Sequence, residues 1–484
     1  MAYTDIDDPT INFNTVTYTG NVDESSSNGS QAITGVGFQP DWVWIKPRTL
    51  GYAAGSHNLT DSVRGAGVGL FADLTAAEYD YGTSANGGTV TAFGSDGFTL
   101  GGASQVNEDS NTYVAWNWLA GGTAPTQTYT VKVVSDSGNK YRFDDFGTSA
   151  VTLDLQEGGT YTFDQSDSSN SGHPLRFSTT SNGTHGGGSE YTTGVTTTGT
   201  PGSAGAKTVI TLGSGVATLY YYCTQHSGMG GQVNTNSTHG SSNFSGSIQT
   251  TASVNTTAGF SIVSYTGNGS STGTNVIGHG LGAVPKMIII KGRAGTNANN
   301  SWYVFHNGLS ANNNIRLNHT GSQLTTSSFS SGIINTSPTS TTFGFDSGTS
   351  LLNINESGTT YIAYCFAPKQ GYSAMGSYTG NGSTDGTFVY TGFRPAFVIC
   401  KVTSTTDNWV IMDSKRKGYN PDNDQLIANS NLADQTPDRL DLLSNGFKAI
   451  SSNTEVNKSG ESYIYMAFAE SPFVNSNGVP TNAR

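Results

Sequence analysis

The stretch GFQPDWVWIK (Gly37–Lys46) indicates the fold, because a run of tryptophan, valine and isoleucine follows directly on a Gly/Pro turn. Two similar stretches occur later in the chain, GAVPKMIIIK (Gly282–Lys291) and GFRPAFVICK (Gly392–Lys401). Short apolar runs bounded by turn residues are typical of buried β-strands. The three copies therefore predict a β unit that occurs three times.

The sequences around the three copies repeat as well. Each copy follows a Tyr-Thr-Gly-Asn tetrapeptide, at Tyr18–Asn21, Tyr265–Asn268 and Tyr378–Asn381. Each unit closes with an aromatic run, at Tyr113–Trp118, Tyr361–Phe366 and Tyr463–Phe468. The first and second openings lie much farther apart than the second and third, so an additional module separates repeat 1 from repeat 2.

These spacings predict an all-β chain of tandem, jelly-roll-like β-sandwich domains with one further sandwich inserted. The predicted boundaries are repeat 1 (1–123), the insert (124–236), a Ser/Thr/Asn-rich linker (237–257), repeat 2 (258–370), repeat 3 (371–475) and a C-terminal tail (476–484).

Composition supports this class and excludes others. Glycine supplies 63 of 484 residues and only 12% are charged, which favours short strands and turns over helices. The net charge of −12 argues against binding to nucleic acid or to an anionic membrane. The longest apolar runs are strand-sized, so no membrane insertion is expected. With no signal-like apolar start and only three cysteines, we expect synthesis in a reducing cytoplasm.

The candidate metal ligands lie in and before the stretch YYYCTQHSGMGG (Tyr220–Gly231). Cys223, His226 and Met229 follow one another at steps of three, and His173 stands at the start of an earlier strand. Thiolate, thioether and imidazole ligands together favour copper or another soft metal. The sequence leaves two hypotheses open, a bound metal ion or a structural module without metal.

The insert resembles the cupredoxins, and the Cys-x2-His-x2-Met spacing is most similar to amicyanin and plastocyanin-like proteins. The resemblance implies a Greek-key sandwich with copper held by His173, Cys223 and His226 and a weak axial Met229. One position departs from the family pattern, since Pro174 stands where an asparagine usually ties the two ligand loops together. The departure puts a rigid, redox-tuned site in doubt and favours a structural site.

The three repeats resemble uncharacterised β domains of marine bacteriophage structural proteins. The motifs that carry this resemblance are MAYTDIDDP, QPDWVWIKPR, LTDSVRGA, SDGFTLGG and YVAWNWLAGG. It implies a tail-fibre or surface-fibre subunit that is made in the host cytoplasm and located in the virion. The expected partners are other virion proteins, copies of the same chain in a trimer, and a host-surface glycan or receptor.

No nucleophile elbow or phosphate-binding loop occurs in the sequence, so no enzymatic activity is expected. Two alternatives remain: a soluble copper protein for electron transfer or metal carriage with adhesive β domains, and a polysaccharide-degrading tail enzyme. In the second, tryptophans would stack on sugars. Strand alternation is expected to place one tryptophan of each pair Trp42/Trp44 and Trp116/Trp118 in the core and the other at the surface or at an interface.

Overall fold

The structure, a computed structural model, describes residues 3–23, 28–49, 55–270, 274–296, 298–325, 334, 337–346, 353–417, 420 and 423–481. These residues form an all-β protein of several sheets, which confirms the predicted fold class. Helical structure in the described chain is limited to α1 (Ser104–Asn107) and to 3-10 turns at Pro9–Ile11, Ser168–Asn170 and Gly183–Gly186. No helix in that part of the chain is long and apolar enough to cross a bilayer.

The strands of repeat 1 and of the insert follow in chain order. Repeat 1 contains β1 (Phe13–Thr19), β2 (Gln31–Ile33), β3 (Trp42–Pro47), β4 (Asn58–Asp61), β5 (Val68–Phe71), β6 (Tyr79–Asp80), β7 (Val90–Gly94), β8 (Gly97–Leu100) and β9 (Thr112–Trp118). The insert contains β10 (Thr126–Ser135), β11 (Asn139–Phe143), β12 (Leu153–Gln156), β13 (Thr160–Asp164), β14 (Leu175–Ser178), β15 (Val195–Thr198), β16 (Lys207–Thr211), β17 (Leu219–Cys223) and β18 (Gly231–Asn236).

The remaining strands belong to the segment after the insert and to repeats 2 and 3. The segment and repeat 2 contain β19 (Ser241–Asn243), β20 (Thr250–Asn255), β21 (Phe260–Thr266), β22 (Thr274–Gly278), β23 (Met287–Ala294), β24 (Tyr303–His306), β25 (Asn313–Arg316), β26 (Leu324–Thr325), β27 (Thr342–Asp346) and β28 (Thr360–Phe366). Repeat 3 contains β29 (Ser373–Thr379), β30 (Phe388–Tyr390), β31 (Phe393–Val402), β32 (Trp409–Asp413), β33 (Leu426–Ile427), β34 (Leu440–Leu443), β35 (Gly446–Ala449) and β36 (Ser462–Pro472).

The three repeats share one antiparallel topology. Their large sheets share five strands in the same order, β1-β9-β3-β4-β5, β21-β28-β23-β24-β25 and β29-β36-β31-β32-β33. The sheet of repeat 1 continues with β6, and that of repeat 2 also contains β19, β20 and β26. Their small sheets are β2-β8-β7, β22-β27 and β30-β35-β34. In each repeat the recurring apolar run found in the sequence is the central strand of the large sheet, β3, β23 or β31.

The large sheets are buried on both faces. In β3, Val43 and Ile45 pack into a core within repeat 1, whereas Trp42 and Trp44 pack into a core that all three repeats share. Residues two apart in a strand lie on the same face. The expectation that the two tryptophans of each pair divide between the core and the surface or an interface was therefore wrong. All four of these tryptophans are fully buried, because the other repeats cover that face.

The shared core is aromatic. The ring of Trp42 stacks on Tyr364 of repeat 2 with centroids 4.2 Å apart. Trp118 meets Phe468 of repeat 3 edge-on at 5.7 Å, and Phe366 meets the same ring at 6.0 Å. The prediction of tandem sandwiches did not foresee this joint core, which makes the three repeats one packed unit.

Equivalent hydrogen bonds join the repeats into a closed ring. In each bond the donor is a ring N–H of a residue that begins, or directly precedes, β4, β24 or β32. The acceptor is a backbone carbonyl oxygen of β5, β25 or β33 in a neighbouring repeat. The three bonds run from His57 Nε2 to Ile427 at 2.9 Å, from Trp302 Nε1 to Phe71 at 2.8 Å and from Trp409 Nε1 to Arg316 at 2.9 Å. Repeat 1 thus contacts repeat 3, repeat 2 contacts repeat 1, and repeat 3 contacts repeat 2, so the ring has threefold pseudosymmetry.

Three fully buried lysines at equivalent positions, Lys46, Lys291 and Lys401, also reach across the repeat boundaries. Their ammonium groups donate to backbone carbonyls of the neighbouring repeats, those of Asn431 at 3.4 Å, Thr75 at 3.1 Å and Thr320 at 3.1 Å. Burial lowers the pKa of Lys291 to about 7 and the pKa values of the other two to about 8. Holding a positive charge on any of these buried lysines therefore costs stability.

This cost predicts a pH dependence for Lys291. The pKa of Lys291 is about 7 in the folded protein, compared with 10.5 for the exposed lysine of the unfolded chain. Between these pH values the unfolded chain binds more protons than the folded one, so the free energy of unfolding rises with pH. From pH 7 to 9.5 we expect this lysine to add roughly 2–3 kcal/mol to the free energy of unfolding, a rise that Lys291→Met removes. Denaturant unfolding at both pH values measures it. Lys286→Met, at a half-buried lysine beside the same strand, should leave the rise unchanged, and an undiminished rise in Lys291→Met would contradict the expectation.

The segment 237–257 is not the linker that its composition predicted. It contains β19 and β20, and the whole of β20 pairs antiparallel with β21, with Thr250 opposite Tyr265 and Asn255 opposite Phe260. Threonine and valine are β-branched and fit a paired strand even where the neighbouring residues are polar. The large sheet of repeat 2 therefore begins with two strands outside the predicted boundary.

The insert has a core of its own between two sheets, of order β11-β10-β13-β16-β15 and β12-β18-β17-β14. Alternating side chains from both sheets, among them Tyr129, Phe163, Phe177 and Tyr221, fill that core. The two ligand-bearing segments of the sequence meet at one end of the second sheet, before β14 and after β17.

Candidate metal centre

Three of the four predicted ligands converge. Cys223 ends β17, and its backbone lies opposite Leu175 of the neighbouring β14, two residues after His173. The Cys223 Sγ atom is 3.8 Å from Nδ1 of His173 and 3.8 Å from Nδ1 of His226. The ligand atoms of these three residues all lie within 4.8 Å of one another. Strand pairing brings His173 to Cys223, and the turn after β17 brings His226 back.

These separations fit a metal ion bound by all three atoms. Metal bonds of about 2.3 Å to sulfur and 2.0–2.1 Å to nitrogen place two ligands of a trigonal site roughly 3.7–3.8 Å apart. Both sulfur–nitrogen distances agree with that value. The set of one thiol and two imidazoles is the one that soft and borderline metals prefer.

The environment of His173 favours its neutral imidazole. Burial and the nearby ring of His226, whose centroid is 4.5 Å away, lower the pKa of His173 below its usual value. A neutral imidazole offers a lone pair, so a metal that binds His173 displaces few protons from this residue at pH 7. Cys223 is completely buried and His226 is exposed, so the site opens to solvent on the His226 side.

The backbone at His173 is anchored from the core of the insert. Its carbonyl oxygen accepts hydrogen bonds from the Tyr141 hydroxyl at 2.8 Å and from Gln165 Nε2 at 2.9 Å. Burial and the adjacent Cys223 sulfur raise the pKa of Tyr141, so its hydroxyl stays protonated and able to donate. Sequence reasoning missed both residues, because neither belongs to a recognisable ligand motif.

Met229 is buried in the same apolar cluster as Cys223. Its carbonyl oxygen accepts from the backbone N–H of Tyr141 at 3.0 Å. The next residue is Gly230, where a Cβ atom would lie only 1.7 Å from the Tyr221 carbonyl oxygen, so the chain can turn here only with glycine. The backbone after β17 thus directs Met229 inward, and its role as a fourth ligand stays a prediction.

A backbone hydrogen bond at Pro174 joins the two segments that carry the predicted ligands. Its carbonyl oxygen accepts from the backbone N–H of Thr224 at 3.2 Å, directly beside Cys223. Two further supports could not be recognised in the sequence, because they are distant from the ligands along the chain. Asn182 contacts Ser227 in the loop after Cys223, and His185 contacts the carbonyl oxygen of Cys223.

Comparison with known proteins gives a family but no activity. A family model described as a domain of unknown function (DUF7483) matches residues 8–142 and 234–472. All four predicted ligands lie between these two ranges and thus outside the matched residues. No curated protein and no solved structure matches the chain significantly.

Proposed function

This chain belongs to the family of the domain of unknown function DUF7483, and from that premise we propose that it is a structural protein whose insert holds one soft metal ion, copper before others. The ligands would be His173, Cys223 and His226, with Met229 as a fourth. The observation that carries the proposal is the convergence of three ligand atoms within 4.8 Å. Copper at such a site supplies one-electron redox chemistry.

The residues around the site support a fixed role for the metal. Cys223 ends β17, His173 lies two residues before the neighbouring strand β14, and His226 lies on the loop that follows β17. An ion bound by all three would cross-link these segments, and its binding free energy would add to the stability of the insert. Structural reinforcement therefore accounts for the site without an electron-transfer partner.

Metal stoichiometry tests the proposal. Protein stripped of metal and kept reduced is exposed to excess Cu(I), desalted, and analysed for metal and protein content. We expect one copper ion per chain and a higher thermal midpoint for the loaded protein, since an ion at 100 times its dissociation constant adds about 2.7 kcal/mol. Protein that returns from desalting without copper would overturn the proposal.

A second proposal concerns the protein as a whole, which we assign to a phage tail fibre or surface fibre. The closed ring of repeats supports this assignment. A shared core and equivalent hydrogen bonds around the ring suit a protein that transmits mechanical load rather than one that opens around a substrate. The trimeric arrangement and the binding of a host glycan or receptor belong to the same proposal. Immunolabelling of purified virions tests it, and label absent from every particle would refute it.

A further inference from the structure

A short turn between β14 and β15 lies against the ligand loop, by which we mean Cys223 and the residues that follow it as far as β18, 223–230. It consists of residues 181–188 and contains the 3-10 turn Gly183–Gly186. Left-handed residues bound that turn on both sides, Asn182 with φ 61° and Gly187 with φ 83°. We call residues 181–188 the clasp.

The clasp contacts the ligand loop through two side chains. Asn182 Nδ2 donates to Ser227 Oγ at 2.8 Å, and Asn182 Oδ1 accepts from the backbone N–H of Gly228 at 2.8 Å. His185 Nε2 lies 3.0 Å from the Cys223 carbonyl oxygen. A carbonyl oxygen can only accept, so Nε2 carries the hydrogen and that nitrogen is not available as a metal ligand.

The packing of the clasp fixes its position. Gly183 lies against the ring of Tyr222, and a Cβ atom there would come within 2.5 Å of ring carbons. Tyr222 precedes Cys223 in β17, so the clasp rests on the strand that carries the thiol. The clasp therefore contacts both the sheet and the loop.

The contacted residues are those that set the ligand spacing. Ser227 and Gly228 are the two residues between His226 and Met229. On the opposite side, Lys140 donates to the Gly228 carbonyl oxygen through its ammonium group, and the Tyr141 N–H donates to Met229. The loop is thus held from both sides at its centre.

We infer that Asn182, supported by His185, is a positioning residue that holds His226 and Met229 in place before the metal arrives. The inference rests on the proposed metal site. Both side-chain groups of Asn182 bond to the loop at once, so rotation of the Ser227–Gly228 link would break two hydrogen bonds together. A preorganised loop loses less conformational entropy on binding, and groups that orient ligands in this way commonly change metal affinity by about 10- to 100-fold.

The backbone at Asn182 allows a clean test. Because φ is positive there, Asn182→Gly removes the side chain without straining the turn. Asn182→Asp keeps the acceptor for Gly228 and lets the Ser227 hydroxyl donate in the reverse direction. The matched control is Asn312→Gly in repeat 2, an exposed asparagine that also has φ 61° and lies outside the insert.

Cu(I) affinity, measured by competition with a chelator, is the first readout. We expect Asn182→Gly to bind Cu(I) about 10- to 100-fold more weakly than wild type, and Asn182→Asp and Asn312→Gly to stay within a few-fold of it. If Asn182→Gly loses the folded insert, Ser227→Ala removes one of the two bonds alone and should weaken binding less than Asn182→Gly is expected to do.

The second readout separates positioning from general stability. In the Cu(II) form, the thiolate-to-copper absorption band should shift in Asn182→Gly, because the ligands no longer hold one arrangement. Weaker binding with an unchanged band, or wild-type affinity in both Asn182→Gly and Ser227→Ala, would overturn the positioning role and leave the metal site standing. A wild-type protein that binds no copper would overturn the metal site and the clasp together.

Discussion

The Cys223→Ala variant is expected to lose tight binding of copper. Cys223 supplies the only thiol of the cluster, and its sulfur lies 3.8 Å from both imidazole nitrogens. Structural zinc sites with four ligands bind their ion with about 10–16 kcal/mol, and a similar total here would give roughly 2.5–4 kcal/mol per ligand. That share corresponds to a dissociation constant about 100- to 1000-fold higher.

Competition titration with a chelator measures this loss, and the other cysteines supply the control. Cys400 is also fully buried but belongs to the core of repeat 3, and burial raises the pKa of its thiol to about 12. We expect Cys400→Ala to bind copper as wild type does. Equal binding by Cys223→Ala and wild type would show that the ion sits elsewhere on the chain.

Trp42→Ala is expected to destabilise all three repeats together. The indole is fully buried in the shared core, where it stacks on Tyr364 and packs against Trp118 with centroids 4.4 Å apart. Removing a large aromatic side chain from a core costs about 3–5 kcal/mol, because the cavity collapses only in part. Since residues of all three repeats line this core, the loss should not stay within repeat 1.

The neighbouring residue gives a matched control. Val43 lies in the same strand and is equally buried, but it faces the core of repeat 1 alone. We expect Val43→Ala to cost less and to lower amide protection mainly in repeat 1, whereas Trp42→Ala lowers it in β28 and β36 as well. Hydrogen exchange read by mass spectrometry distinguishes the two variants. Protection lost only in repeat 1 for Trp42→Ala would contradict a joint core.

The strands of the repeats could be predicted from local sequence patterns, but the packing of the three repeats against one another could not. The apolar runs at Gly37–Lys46, Gly282–Lys291 and Gly392–Lys401 predicted strands, and these are central strands of equivalent sheets. A period of two says which residues share a face, but it does not say what covers that face. For this reason the sequence did not disclose that Trp42 and Trp44 pack into a core that the other two repeats share. Composition also misled at 237–257, where pairing with β21 turned a polar segment into strands.

The candidate site was predictable where its ligands are close in sequence. Cys223, His226 and Met229 stand at fixed spacing, and His173 was found because it precedes a strand of the same sandwich. The supports were not predictable in this way. Tyr141, Gln165 and Asn182 bond to backbone or to a serine hydroxyl, and such bonds leave no motif in the sequence. Only the folded chain brings them to the ligands.

X-ray absorption at the copper edge of the loaded wild-type protein shows directly whether Cys223, His173 and His226 bind the metal. We expect one sulfur at about 2.3 Å or slightly less and two imidazole nitrogens at roughly 2.0 Å, with the sulfur missing in Cys223→Ala. A longer contact to the thioether of Met229 would add the fourth ligand. A first shell of nitrogen and oxygen alone would contradict a metal centre built on Cys223, His173 and His226.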